Sequence, residues 1–159
     1  MVGPELQQRV ERFLFDYADC LDAERFAEFP SFFDEAGCEY LVLSRENLDQ
    51  GLPLPIMSAF SHGMVTDRVM MLVKETLTWR RMRFRHQVGN VRVDETAGAL
   101  LAVRANFTVH QSDNDGVPSL YMVGYYDATM ARIGDALKLR RMHAVVDSFG
   151  VDNMLAMPL

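Results

Sequence analysis

The stretch from Arg80 to Val93, RRMRFRHQVGNVRV, constrains the fold more than any other part of the chain. Met82, Phe84, His86 and Val88 alternate with Arg83, Arg85 and Gln87. That period of two belongs to a strand with one apolar and one strongly basic face. At Gly89-Asn90 the phase slips, and Val91 and Val93 take over the apolar parity. A one-residue slip at a glycine inside a long strand predicts a β-bulge that bends the sheet. A long, bent strand must wrap around something. The run Ser61 to Thr78 that feeds into it has helical spacing, so a curved sheet folded over a helical layer is expected.

The flanking segments supply that layer and the rest of the sheet. Leu6, Val10, Phe13, Leu14, Tyr17 and Leu21 recur at three and four residues and predict an amphipathic helix from about Pro4 to about Asp22. Phe26, Phe29, Phe32 and Phe33 form a shorter helical patch whose regularity Pro30 limits. Glu39 to Leu43 reads as a strand. Asn47 to Pro55, with Gly51, Pro53 and Pro55, reads as a loop. Ser61 is placed to cap a third helix carrying Val65, Val69, Leu72 and Thr76 on one face. Beyond the bent strand, Glu95 to Gly98 predicts a turn, Leu101 to Val109 a strand with apolar odd positions, and Asp113 to Gly116 a hairpin turn. Leu120 to Met130 is apolar on both faces, which predicts a central strand covered twice. After a turn at Ile133-Gly134-Asp135, the last strand, Leu137 to Asp147, changes parity near Arg140-Arg141, a second candidate bulge. Helices followed by long antiparallel strands make an α+β fold, with residues 1–159 as one domain.

Composition removes several classes of function. The opening MVGPELQQ is polar, without a signal-peptide block, and no run approaches the roughly 18 apolar residues of a membrane span. Only Cys20 and Cys38 are available, too few for a disulfide framework or a four-thiolate metal site, and both fit small core positions in a reducing cytoplasm. The net charge of −6 is uneven: residues 1–60 carry 12 acids against 4 bases, the remainder 10 against 12. Such segregation fits either self-complementary association or solvated faces. No unbroken basic block or tail points to nucleic acid.

The motifs of common chemistry are missing. There is no glycine-rich phosphate loop, no HExxH and no second cysteine pair for a Rieske cluster. His62, read as a loop residue, and His86, His110 and His143, on three separate predicted strands, lack the spacing of an iron site. One constellation is chemically able. His86 shares the apolar face of its strand, and Tyr17, Asp34, Tyr40, Tyr126, His143 and Asp147 are candidates for the same interior, where a buried His–Asp pair with a tyrosine can act as acid and base. Set against it is a core histidine satisfied by a backbone or carboxylate partner, the more frequent role of such a residue. The opposite face offers Arg83 and Arg85, with Arg104, Lys138 and Arg140 as further members of a basic interface patch. Its natural partners are Glu11, Asp16, Asp19 and Asp22 of the first helix, or acids on another subunit.

From about Phe13 to Leu159 the chain resembles the small (β) subunits of bacterial aromatic-ring-hydroxylating dioxygenases. The resemblance lies in DYADCLDAERFAEFPSFFDEAGCEYLV (16–42), SRENLDQGLP (44–53), MVTDRV (64–69), RHQVGNVRV (85–93), GYYDATM (124–130), LKLRRMHAVVDS (137–148) and the final MPL. The RENLDQGLP, TDRV and MPL segments are similar to small subunits of oxygenases of carboxylated aromatics, such as salicylate 5-hydroxylase and terephthalate dioxygenase. The resemblance implies the cone-shaped NTF2-like fold, with N-terminal helices on a strongly curved, mostly antiparallel sheet. It implies a subunit without cofactor or catalytic residue of its own. The large (α) subunit would hold the Rieske [2Fe-2S] cluster, the mononuclear iron and the substrate pocket, usually in a three-plus-three hexamer. The alternative is a stand-alone dehydratase, isomerase or cyclase of the same fold that uses His86 with Asp147, Asp34 and Tyr17.

Overall fold

Pro4, with its backbone already set for a first helical turn, opens helix α1 (Pro4–Asp22), which buries Val10, Leu14, Tyr17, Cys20 and Leu21 on one stripe. The computed structural model describes residues 2–52, 54–74, 82–148, 150–151 and 155–159. The phenylalanine patch becomes a single 3-10 turn, Phe29–Phe32, because Pro30 denies it a longer helical hydrogen-bond ladder. Phe29 and Phe33 are buried in the core.

Strand β1 (Glu39–Ser44) follows, and Ser44 then caps a short helix, α2 (Arg45–Asp49), its hydroxyl accepting from Asn47 N at 3.2 Å. The expected loop over Asn47 to Pro55 therefore begins inside a helix, because the serine cap and the Arg45–Asp49 pair act before the glycine and prolines do. A three-residue strand, β2 (Met57–Ala59), was not expected. Ser61 caps helix α3 (His62–Lys74), its hydroxyl accepting from Met64 N, and Val65 and Val69 are buried. His62 is the first residue of that helix rather than a loop residue. The expected positions Thr76, Thr78 and Arg80 lie outside the described residues.

The remaining strands are β3 (Arg83–Glu95), β4 (Leu100–Ser112), β5 (Pro118–Ile133) and β6 (Ala136–Val146). One six-stranded sheet runs β2-β1-β6-β5-β4-β3, antiparallel except where β1 lies parallel to β6. The β3–β4 register shifts between Gly89 and Arg92, as the phase slip predicts. The left-handed backbone falls on Asn90 (φ 52°), a residue type that tolerates it, and not on Gly89. A second shift, where Met130 faces Leu139 and Thr129 faces Arg141, leaves Arg140 as the extra residue of β6. A third, between Val109 and His110, has no parity signal in the sequence.

These bulges curve the sheet around its inner face. Leu101, Val103, Ala105, Phe107 and Val109 of β4 are buried there, as are Met122, Tyr126, Ala128 and Met130 of β5. Gly124 sits on the same face, and a β-carbon on it would come within 2.0 Å of the Val145 carbonyl oxygen and 3.0 Å of the Phe107 ring. β5 is central, as expected, but only its inner face is covered: Leu120 is 58% and Val123 38% exposed in the single chain.

Helix α1 lies along the free edge of β3 and is fastened at both ends. Near its start, Gln7 Nε2 donates to the carbonyl of Val91 in the bulge at 2.9 Å. At its last residue, Asp22 accepts from the backbone N–H of His86 at 2.9 Å. Two backbone groups of an edge strand are thereby satisfied by a helix instead of being left open to another chain.

Candidate functional site

His86 is where the fold concentrates polar chemistry in its interior. Its strand parity turns the ring inward, and the side chain is 1% exposed. Its partner is Asp22, the last residue of α1: Nδ1 lies 2.6 Å from Oδ1, and the same carboxylate takes the His86 backbone N–H. A carboxylate at a helix C-terminus meets the negative end of the dipole, so Asp22 needs such donors to be tolerated there. Nδ1 carries a proton, since two acceptors do not approach to 2.6 Å. Nε2 is buried and has no hydrogen-bond partner among the described residues.

The other candidates disperse. After the Arg140 bulge the even residues of β6, Met142, Ala144 and Val146, face inward, so His143 and Asp147 fall on the outer parity. His143 Nε2 meets Glu39, and the exposed Asp147 lies 3.5 Å from Arg45. Asp34 is buried beside the 3-10 turn, where it accepts from Ala36 N at 3.0 Å and Arg140 Nε at 2.9 Å. The Ala36 N–H, and after it Arg140, hold its carboxyl below the usual range. Neither acid is the partner of His86. The sequence offers Asp22 only as a candidate partner for the basic residues; its disfavoured place at the helix end is the one available signal.

Tyr17, Tyr40 and Tyr126 do share the interior, but their hydroxyls do not converge on His86. Tyr17 donates to the backbone oxygen of Leu159 at 2.8 Å, and Tyr40 Oη accepts from Leu159 N at 2.9 Å, so the final leucine is drawn into the core. The Tyr17 and Tyr126 rings meet edge to face at 6.0 Å, and Phe107 stacks on Tyr126 at 4.6 Å. Burial pushes all three phenols upward, so they are neutral donors. The Tyr126 hydroxyl has no partner among the described residues. Burial also raises the Cys20 thiol to about 11, which leaves it inert. A groove of about 410 Å³ lies on the outer surface, between Arg9, Arg12 and Asp16 of α1 and Asp135 and Leu137. No group of three metal-ligating side chains occurs among the described residues.

The basic residues expected at an interface lie on the outer face but not in one patch. Arg83 and Arg85 are exposed opposite Ser112 and His110. Arg104 stands opposite Arg92 and Asp127, about 20 Å further along β4 at ~3.4 Å per residue, with its guanidinium 4.2 Å from the Tyr125 ring centre. Arg140 is tied to Asp34, and Lys138 to the carbonyl of Ser31.

Comparison with known proteins bears on most of the chain. Residues 16–152 match the family model described as ring hydroxylating beta subunit. The terephthalate 1,2-dioxygenase terminal oxygenase component subunit beta 2 of a Comamonas species is 30% identical over 143 residues, 90% of this chain and 92% of that protein. The anthranilate 1,2-dioxygenase small subunit of Burkholderia cepacia is 27% identical over 143 residues, 90% and 88% of the two chains. A crystal structure from Novosphingobium aromaticivorans, assigned as the beta subunit of an aromatic-ring-hydroxylating dioxygenase, superposes with a TM-score of 0.87 at 30% identity, covering 97% of each chain.

Proposed function

The chain belongs to the family of ring hydroxylating beta subunits, and from that premise we propose that it is the non-catalytic small subunit of an oxygenase acting on carboxylated aromatic rings. The observation that carries this reading is its similarity, over nine-tenths of its length, to small subunits whose named substrates, anthranilate and terephthalate, are aromatic carboxylates. Beta subunits of this family pair with a large alpha subunit. In our reading that subunit holds the Rieske cluster and the mononuclear iron, for which this chain has neither the cysteine count nor a ligand group among its described residues. We assign a three-plus-three hexamer, a cytoplasmic location and a one-domain organisation to the same proposal. No helix among the described residues is long and apolar enough to cross a membrane.

The chain's own contribution is then a rigid curved sheet whose outer face meets other subunits. Arg83 and Arg85, exposed and adjacent on one parity of an edge strand, are the arginines freest to pair with a partner's carboxylates. Arg104 and Arg140 take lesser parts, since each is already engaged within the chain.

Co-expression with the large subunit tests the reading. The chain should co-purify with it, the complex should consume oxygen with an aromatic carboxylate, and the small subunit alone should bind no iron and consume none. Stoichiometric iron in the isolated chain, or failure to join any large subunit, would overturn it.

A further inference from the structure

Buried polar atoms in folded proteins are almost always hydrogen-bonded, and on the inner face two have no partner among the described residues: Nε2 of His86 and the hydroxyl of Tyr126. The first is also aimed. Asp22 holds the imidazole through Nδ1 at 2.6 Å and grips the strand through the His86 backbone N–H, so the ring cannot turn to satisfy itself. In the neutral ring with its proton on Nδ1, Nε2 presents a lone pair in a fixed direction. Its neighbours on this sheet face are apolar: Val109 of β4 stands opposite His86, and Phe84 and Val88 flank it along β3. Phe84, on the same face of β3, packs on Tyr121 at 5.1 Å, and Phe107, opposite Val88, stacks on Tyr126. The charge of Asp22 reaches Tyr126 and helps keep its phenol neutral.

We propose that the Asp22–His86 pair is a buried binding site for an uncharged hydroxyl donor, whose O–H is accepted by Nε2 of His86. The apolar walls disfavour any charged guest, and the Asp22 carboxylate repels an anionic one. The site therefore discriminates against the aromatic carboxylates of the proposed oxygenase, and it stands whether or not that function holds. Two sources carry the required chemistry, a simple phenol and a water molecule.

The test uses the full chain, alone or in its complex, with ¹⁵N-labelled histidine and phenol as the probe. The His86 signal is assigned by its loss in His86→Gln; should that variant not fold, His62→Gln, His110→Gln and His143→Gln assign it by elimination. Nδ1 should be protonated and Nε2 should show the shift of an acceptor. Phenol should move the Nε2 resonance saturably, benzoate should not, and Asp22→Asn should weaken the phenol effect about tenfold through loss of one charge-assisted hydrogen bond. A silent phenol titration together with a long-lived water in contact with Nε2 assigns the same site to water. An Nε2 that carries its own proton and touches no guest overturns the proposal, as does a phenol effect that survives when His86 is replaced.

Discussion

The two faces of the one sheet follow opposite rules. On the inner face Phe107, Tyr126, Tyr17 and Leu159 interlock, and polar atoms there are tied down, save Nε2 of His86 and the Tyr126 hydroxyl, which have no partner among the described residues. On the outer face Asp127 meets Arg141 at 2.6 Å, Glu39 meets His143, and Arg104 lies over Tyr125, all partly open to solvent. A tightly packed interior tolerates little change of volume, because its atoms are already near crystal-like density. An exposed ion pair can be rearranged at little cost, since water screens both partners. The inner face is thus the part that decides whether the chain folds, and the outer face the part freer to vary.

That contrast can be broken most severely at Gly124. Gly124→Ala puts a methyl group against the Val145 carbonyl and the Phe107 ring, so the strand must shift. The expected loss is about 3 kcal/mol or more, at the upper end of overpacking effects, seen as a large fall in melting temperature or as insoluble protein. Next comes Asp22→Ala, which strips both the His86 ring N–H and its backbone N–H of an acceptor. A loss of about 2–4 kcal/mol in chemical denaturation is expected for two stranded donors, and Asp22→Asn should recover part of it.

On the outer face the expected effect moves from folding to assembly. Arg83→Glu with Arg85→Glu should leave the melting temperature within a few degrees of the parent, while light scattering after size exclusion shows the oligomer dissociated. Reversed charges facing buried carboxylates cost several kcal/mol in association. An unchanged oligomer would make this end of β3 ordinary solvent surface.

The smallest effect sharpens the boundary between the faces. Asp34, whose carboxyl is held low by the Ala36 N–H and Arg140, favours the folded state above the ordinary carboxylate pKa. That contribution is lost as pH falls through its depressed folded value. Asp34→Asn should therefore be less stable than the parent at pH 7, with the gap closing below about pH 4; a gap independent of pH would mean that packing, not charge, is responsible.

How far the sequence reached follows from the same physics. Alternation in β3 and β4 survives in the fold because side-chain parity is a local property of an extended chain, and each slip of parity became a bulge. The three-residue β2 has too few positions to alternate, and α2 is hidden behind the breakers Gly51 and Pro55. The His86 ring was placed on the correct face, yet its partner lies 64 residues away. Periodicity names a face and never the residue across from it. His143 and Asp147, candidates for the interior, are turned outward by the parity change at Arg140. Family resemblance supplied the assembly role, which no spacing in this chain encodes.

The parallel pairing of β1 with β6 fixes an order of events in time. Leu41 aligns with His143, so a strand made early finds its partner only when the last strand exists. At about 5–20 residues per second of synthesis, β1 waits roughly 5–20 seconds with the edge that β6 will take unpaired, the short β2 covering only its other edge. Contacts this distant in sequence also slow folding itself, because the loop must close before the pairing returns any energy. The nascent chain is therefore most vulnerable to wrong strand partners just before β6 emerges, and fragments ending ahead of Ala136 should aggregate rather than fold.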